Sequence, residues 1–305
     1  MTVICIGECM VELARGNDGR FGLAYGGDTF NTAVYMARAG ANVSYLSALG
    51  DDAYSQGILD LARAEGVGTD LIRIVAGRMP GLYMIETTAT GERSFAYWRD
   101  RSPAREVFDS KLSSIALAHM AATSLVYLSG ISLSLYNTPS LSRVYAMIET
   151  IRSVGGRFAM DGNYRARGWA GDTKRAQNTL LQFWKMADIA LPTFEDEQML
   201  WGDASPAATV ARLAKLGVKE IVVKSGADGA TLFHDKTTTH VPCPTAITPV
   251  DTTAAGDSFN AGYLAARLKD ASPLDAALAG HQLAAVVIQH RGAIVPKSAT
   301  APLFS

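Results

Sequence analysis

Near the C-terminal end, Asp251-Thr-Thr-Ala-Ala-Gly-Asp257-Ser-Phe259 sets three nearly bare backbone positions directly before a carboxylate. Pro249 ends the extended segment before it, and from Gly256 the residues Phe259, Tyr263, Leu264 and Leu268 recur at helical spacing. The stretch predicts a helix N-terminus, where unpaired N–H groups and the positive end of the helix dipole face outward. Ala254, Ala255 and Gly256 carry almost no side chain to obstruct an oxyanion, and so form a candidate anion hole. Asp257 lies where that anion would arrive, which suits a base taking a proton from a hydroxyl as the hydroxyl attacks phosphorus. The same residues also fit a capped turn in which Asp257 is a stabilising first-turn acid.

A phosphoryl-transfer site must also hold its acceptor, hold a nucleotide and keep water out. Glu8 and Glu12 follow the apolar run Val3-Ile-Cys-Ile-Gly7, which fits a buried parallel strand carrying them towards a site. Gly26 and Gly27 let the backbone approach a ligand closely, or simply make a tight turn. Asn31, one turn into the helix that follows, can offer its amide to a substrate hydroxyl. Lys224-Ser-Gly-Ala-Asp-Gly229 closes another strand with small residues against which a nucleotide can lie. An acceptor that is a sugar acid would need a guanidinium able to grip both carboxylate oxygens, and Arg99 and Arg165 are the candidates. Arg99 lies beside Tyr97 and Trp98, with Tyr83 on the facing segment, a surface better suited to a ligand than to open solvent. Neither G-x-x-x-x-G-K-[ST] nor a strand-borne G-x-G-x-x-G occurs, so P-loop and dinucleotide-binding readings fall away.

The elements that must position these groups alternate. Thr29 to Arg38 is helical in period and stopped by Gly40, Val43 to Ala48 reads as a strand, and Ser55 to Gly66 as the next helix. That rhythm predicts a doubly wound, mostly parallel α/β sheet. It breaks where Leu82 to Thr87 and Arg93 to Trp98 alternate around Ala89-Thr-Gly-Glu92, a hairpin with no helix between its arms. With the segment near residues 10–25 this hairpin makes a small lid sheet, or else an edge hairpin of the main sheet. From Phe108 the alternation resumes, with strands at Leu125–Gly130, Phe158–Asp161, Ile189–Leu191 and Ile221–Lys224, and a last helix at Pro273–Gln289. No repeat, linker or low-complexity tract interrupts the 305 residues, which read as a single domain, 1–305, with a lid from about 10–25 and 80–100.

Composition narrows the function classes. A net charge of −1, with no run of Lys or Arg, gives no field for nucleic acid or an anionic membrane. No window approaches the roughly 18 apolar residues of a membrane span, and Met1 to Gly7 lacks a basic n-region, so a cytoplasmic protein is expected. Cys5, Cys9 and Cys243 lack zinc-site spacing and read as reduced thiols, and His119, His234, His240, His281 and His290 are scattered without the spacing of a metal pair.

Asp251-Thr-Thr-Ala-Ala-Gly-Asp257 resembles the C-terminal signature of the ribokinase-like (PfkB) family of sugar kinases. Gly26-Gly-Asp-Thr-Phe-Asn31-Thr-Ala33, with Ala39-Gly40 and Leu49-Gly-Asp-Asp52, resembles the N-terminal signature. Segments from Gly7-Glu-Cys-Met-Val-Glu12 to Arg291-Gly-Ala-Ile-Val-Pro296 are most similar to the 2-keto-3-deoxygluconate kinases within it. The resemblance implies a ribokinase-like fold and transfer from ATP to a sugar acid by Asp257, with a neutral-sugar kinase of fructokinase or ribokinase type, or a sensor without catalysis, as alternatives. It implies substrate contacts at Glu12, Gly26, Gly27, Asn31, Tyr83, Tyr97, Arg99 and Arg165. It also implies ATP contacts at Asn163, Lys224, Ser225, Gly226, Ala227 and Gly229, and a homodimer through the lid. Mg2+ would be organised indirectly by Asp196, because Thr193-Phe-Glu-Asp196 keeps the acid of the family's Asn-x-x-Glu but not its Asn. Asp251 and Thr253 resemble a loop that holds K+ in many relatives.

Overall fold

The computed structural model describes residues 1–16, 18–87, 93–109, 114–244 and 247–304. The strands are β1 (Thr2–Ile6), β2 (Met10–Arg15), β3 (Phe21–Gly26), β4 (Asn42–Leu49), β5 (Ile72–Ile74), β6 (Leu82–Thr87), β7 (Arg93–Trp98), β8 (Thr123–Ser129), β9 (Arg157–Asp161), β10 (Ile189–Ala190), β11 (Glu220–Lys224), β12 (Ala230–His234) and β13 (Thr237–Val241). The helices are α1 (Asp28–Arg38), α2 (Ala53–Ala64), α3 (Ser114–Ala121), α4 (Gly130–Leu135), α5 (Thr138–Ser153), α6 (Thr173–Trp184), α7 (Phe194–Trp201), α8 (Pro206–Lys215), α9 (Ala255–Leu268), α10 (Pro273–Val287) and α11 (Lys297–Thr300).

Among the described residues, nine strands form one sheet in the order β13-β12-β11-β10-β9-β8-β1-β4-β5. All neighbours are parallel except β11–β12 and β12–β13. The parallel strands are buried on both faces, and their side chains alternate between two cores. Val3 and Cys5 of β1, Leu125 and Tyr127 of β8 and Val222 of β11 pack in the layer that holds Phe30, Tyr263 and Leu283 of α1, α9 and α10. Ile4, Ile6, Val126, Leu128, Ile221 and Val223 turn to the other layer, with Ile148, Phe183 and Leu213 of α5, α6 and α8.

The order reverses at β1, which pairs with β8 on one side and β4 on the other. An open α/β sheet leaves a crevice beyond the carboxyl ends of its strands at such a reversal. Glu8, Ser129, Asp161 and Lys224 all end or follow strands on that side.

The predicted hairpin arms pair antiparallel, Tyr83 opposite Tyr97, in a separate four-stranded sheet of order β3-β2-β6-β7, which removes the edge-hairpin alternative. β2 joins β6 in parallel with Glu12 opposite Tyr83. The predicted turn at Ala89–Glu92 lies outside the described residues. Three features differ from the sequence reading. The three-residue edge strand β5 was too short to stand out, and the Pro273 helix ends at Val287 and is followed by α11. The β12–β13 hairpin turns at Asp235 and Lys236, both with positive φ, so a primed turn is made without the Gly that normally announces it.

Candidate active site

Six helices begin with a side chain capping an N–H group: α2 on Asp52, α4 on Ser129, α5 on Asn137, α6 on Asp172, α8 on Ser205 and α10 on Ser272. α1, α7 and α9 have no side-chain cap, and all three start at the crevice. An uncapped N-terminus offers N–H groups and a positive dipole end to an incoming anion. At α9 the cap position is Ala254, held left-handed at φ 59°. The Ala255 N–H is taken by the Thr252 carbonyl at 3.2 Å. Of the expected anion-hole residues Ala254, Ala255 and Gly256, Gly256 keeps an N–H without a backbone partner among the described residues, as does the neighbouring Asp257. Asp251 braces this loop from behind, accepting the Thr253 N–H at 2.7 Å and the Gly292 N–H at 2.9 Å.

Asp257 is not a cap. Its carboxylate accepts the Asn31 amide at 2.8 Å, while the Asn31 carbonyl oxygen receives the Gly27 N–H at 3.4 Å. Asn31 is 4% exposed, and its amide bond orients the Asp257 carboxylate. Thr32 reaches the backbone carbonyls of Asp28 and Asp257, 3.1 Å from each, and so ties the first turns of α1 and α9 together. Gly27 is required because a Cβ there would stand 2.1 Å from the Glu8 carbonyl oxygen. Burial first, then the charge of Asp28, pushes the Asp257 carboxyl up to about 7, against the pull of the Asn31 amide. That value suits a proton acceptor at neutral pH.

Two residues expected at ATP also have partners within the protein, and Lys224 lines the same cavity as Gly226, Ala227 and Gly229. Lys224, 6% exposed, donates to Asp161 at 2.7 Å and to Asn260 at 2.9 Å, and Asn260 in turn donates to Asp161 and Tyr127. Its ammonium still borders the anion hole, since a side chain at Gly256 would begin 3.6 Å from it. Asn163 donates its amide to Asp28 at 2.9 Å. Gly226, Ala227 and Gly229 do line a cavity of about 570 Å³. Its other walls include Cys243, Phe259, His281 and Ile288, and Ala255 and Gly256 close its inner end. Ser225 holds the loop through its N–H on Gly229 at 2.8 Å. The mostly small and apolar lining fits a flat nucleobase, with phosphates directed at the start of α9. His281, Ala284, Ala285 and Ile288 share one face of the α10 helix and its C-terminal end, a stripe at i, i+3, i+4 and i+7 that helical period alone could have flagged.

On the other side of Asp257 stands the small sheet. Tyr83 donates to Glu12, its ring lies 6.1 Å from that of Tyr97 and is tilted by 31°, and its hydroxyl lies 3.0 Å from where a Gly26 side chain would begin. Arg167, which sequence reasoning passed over, places its guanidinium 5.2 Å from the Tyr97 ring centre, so the short helix after β9 touches the small sheet there. Both candidate carboxylate readers already have partners. Arg99 pairs with buried Glu8, whose second oxygen has no partner, and Arg165, its side chain 56% exposed, pairs with Asp196 at 2.7 Å. Asp196, expected near Mg2+, is raised above the usual carboxylate range by burial, with Arg165 opposing.

The pfkB family carbohydrate kinase model matches residues 2–300. The chain is 43% identical to the 2-dehydro-3-deoxygluconokinase of Escherichia coli K12 over 306 aligned positions, 97% of this chain and 98% of that one. Its fold superposes on a PfkB protein from Polaromonas sp. JS666 with TM-score 0.84 at 23% identity, covering 95% and 96% of the two chains. It superposes on a fructokinase from Xylella fastidiosa with bound ATP with TM-score 0.81 at 20% identity, covering 98% and 94%. A crevice at the strand reversal, an uncapped helix start beside an acid, and a match running nearly end to end lead to one conclusion: the chain belongs to the pfkB family of carbohydrate kinases.

Proposed function

We propose that this kinase phosphorylates 2-keto-3-deoxygluconate on its terminal hydroxyl, using ATP. The observation that carries this reading is the meeting of three things at Asp257: the apolar slot, the uncapped start of α9, and the Tyr83–Tyr97–Arg99 face of the small sheet. The 43% identity to the E. coli enzyme supports the choice of acid over neutral sugar. Asp257 takes the hydroxyl proton as that oxygen bonds to the γ-phosphorus, and the bond to the ADP oxygen breaks in line. The Gly256 and Asp257 N–H groups and the nearby Lys224 ammonium stabilise the charge that gathers on the transferring group. Arg99 and Arg165 share their carboxylate partners with the substrate carboxylate.

Among the described residues no three His, Cys, Asp or Glu side chains converge on a metal. Mg2+ would be held mainly by the triphosphate and water, with Asp196 organising it indirectly. K+ finds less support, because both Asp251 oxygens already accept backbone N–H groups. The small sheet acts as a lid of the single domain, excluding water as it closes. Its outer face carries Phe21, Leu23 and Trp98 exposed, which supports a homodimer through that face.

The test is coupled ADP release across 2-keto-3-deoxygluconate, fructose, ribose and adenosine. The keto acid is expected to turn over fastest. A faster neutral sugar would make the protein a fructokinase-like or ribokinase-like enzyme, and binding without transfer would make it a sensor.

A further inference from the structure

Two acids, not one, stand in the first turns of α1 and α9, Asp28 and Asp257. Asp28 is the first residue of α1, and the Thr32 hydroxyl lies 3.1 Å from its carbonyl and 3.1 Å from that of Asp257. Each cation that the ion pairs place at the site already has an acid: Lys224 has Asp161, Arg99 has Glu8, and Arg165 has Asp196. Among the described residues neither Asp28 nor Asp257 is in an ion pair, whereas Glu12 is met by the Tyr83 hydroxyl. Tyr35, Tyr45, Tyr127 and Tyr136 also face the pair, but burial holds all four phenols protonated, so they add no charge.

The two acids are not equivalent. One Asp28 oxygen accepts both the Ser129 hydroxyl and, at 2.9 Å, the Asn163 amide, and the Thr29 N–H adds a third donor. Asp257 accepts from the Asn31 side chain alone. Burial raises the Asp28 carboxyl as well, but the Ser129 and Thr29 donors oppose it, and because donors favour the ionised form of the group they serve, Asp28 is the one of the two that ionises first. Like charge then disfavours ionising the second, and Asp257 takes the proton.

We propose that Asp28 is a positioning residue for phosphoryl transfer: an anion fixed by Ser129 and Asn163 whose charge keeps Asp257 an effective base at neutral pH. The inference rests on the reading of Asp257 as the base. It explains why Asn163 serves an acid in the crevice while a nucleotide role was expected for it.

The test compares wild type with Asp28→Asn, which removes the charge and keeps the shape. Carboxyl carbon NMR, with the Asp257 signal assigned by its loss in Asp257→Asn, follows the protonation of Asp257 without any substrate. Its midpoint is expected to fall by about one pH unit in Asp28→Asn, as for loss of a nearby like charge. The ascending limb of kcat/KM should move to lower pH with it, and Asp28→Glu should restore both. Asp28→Ser provides the same comparison should the Asn variant not fold. An unmoved Asp257 midpoint, with turnover lowered equally at every pH, would overturn the proposal and leave Asp28 a structural acid. Because the NMR titration uses no sugar, it stands or falls separately from the identity of the acceptor.

Discussion

Asp257→Asn separates the base from its surroundings, since the amide fills the same space and can still meet Asn31. Turnover is expected to fall about 10²- to 10⁴-fold with fold and ATP binding kept, the usual worth of a positioned base; near-normal turnover would require another base. Stability moves the opposite way. Because the folded Asp257 carboxyl is raised from 3.8 to about 7, its contribution is present below the ordinary carboxylate range and lost as pH rises through about 7. The Tm of Asp257→Asn relative to wild type should therefore grow between pH 5 and pH 8, and a constant difference in thermal scans would contradict the buried-acid account. Arg99→Ala and Arg165→Ala should each raise KM for the keto acid about 10- to 150-fold, the equivalent of charge-assisted hydrogen bonds of about 1.5 to 3 kcal/mol, and change neutral sugars much less. Equal losses for both substrate types would make these arginines supports for Glu8 and Asp196. At this scale the sequence pointed to Asp257 because its neighbours are nearly bare and its position follows from helical period. It offered Asn31, Asn163 and Lys224 as ligand contacts but not their bonds to Asp257, Asp28 and Asp161, because those partners are 226, 135 and 63 residues away. No local spacing encodes such a bond.

Elements were more legible than their partners. The parallel strands announced themselves as short apolar runs, and α1 and α9 by their period, because a doubly buried strand and an amphipathic helix each write their burial into the chain. β12 and β13 did not, as their turn uses Asp235 and Lys236 in place of Gly. The approach of α1 to the end of β1 depends on Gly27, where a Cβ would meet the Glu8 carbonyl at 2.1 Å. Gly27→Ala should push α1 outward, destabilise by about 1 to 3 kcal/mol as overpacking does, and lower kcat by misplacing Asn31 against Asp257. Gly22→Ala, where a Cβ would find ordinary contact at 3.9 Å from the Ala14 carbonyl oxygen, is the control. Chemical denaturation and turnover on both variants check it, and equal effects would remove the packing argument.

For the whole molecule, the small sheet has one face towards Asp257 and the other towards solvent. Leu13 stands between Leu23 and Met84 on that outer face, and Leu23 and Trp98 are 53% and 58% exposed. Sedimentation velocity should find a wild-type dimer and a Leu23→Lys monomer, and a wild-type monomer at every concentration would refute the interface. The uncapped starts of α1, α7 and α9 carry a different consequence. A side-chain cap stabilises a helix by about 1 kcal/mol, and among the described residues α1, α7 and α9 go without it where the crevice opens, as does the four-residue α11 elsewhere. On the proposed function an arriving anion would take the place of a missing cap. Ligand binding would then also stabilise the helices that frame the crevice.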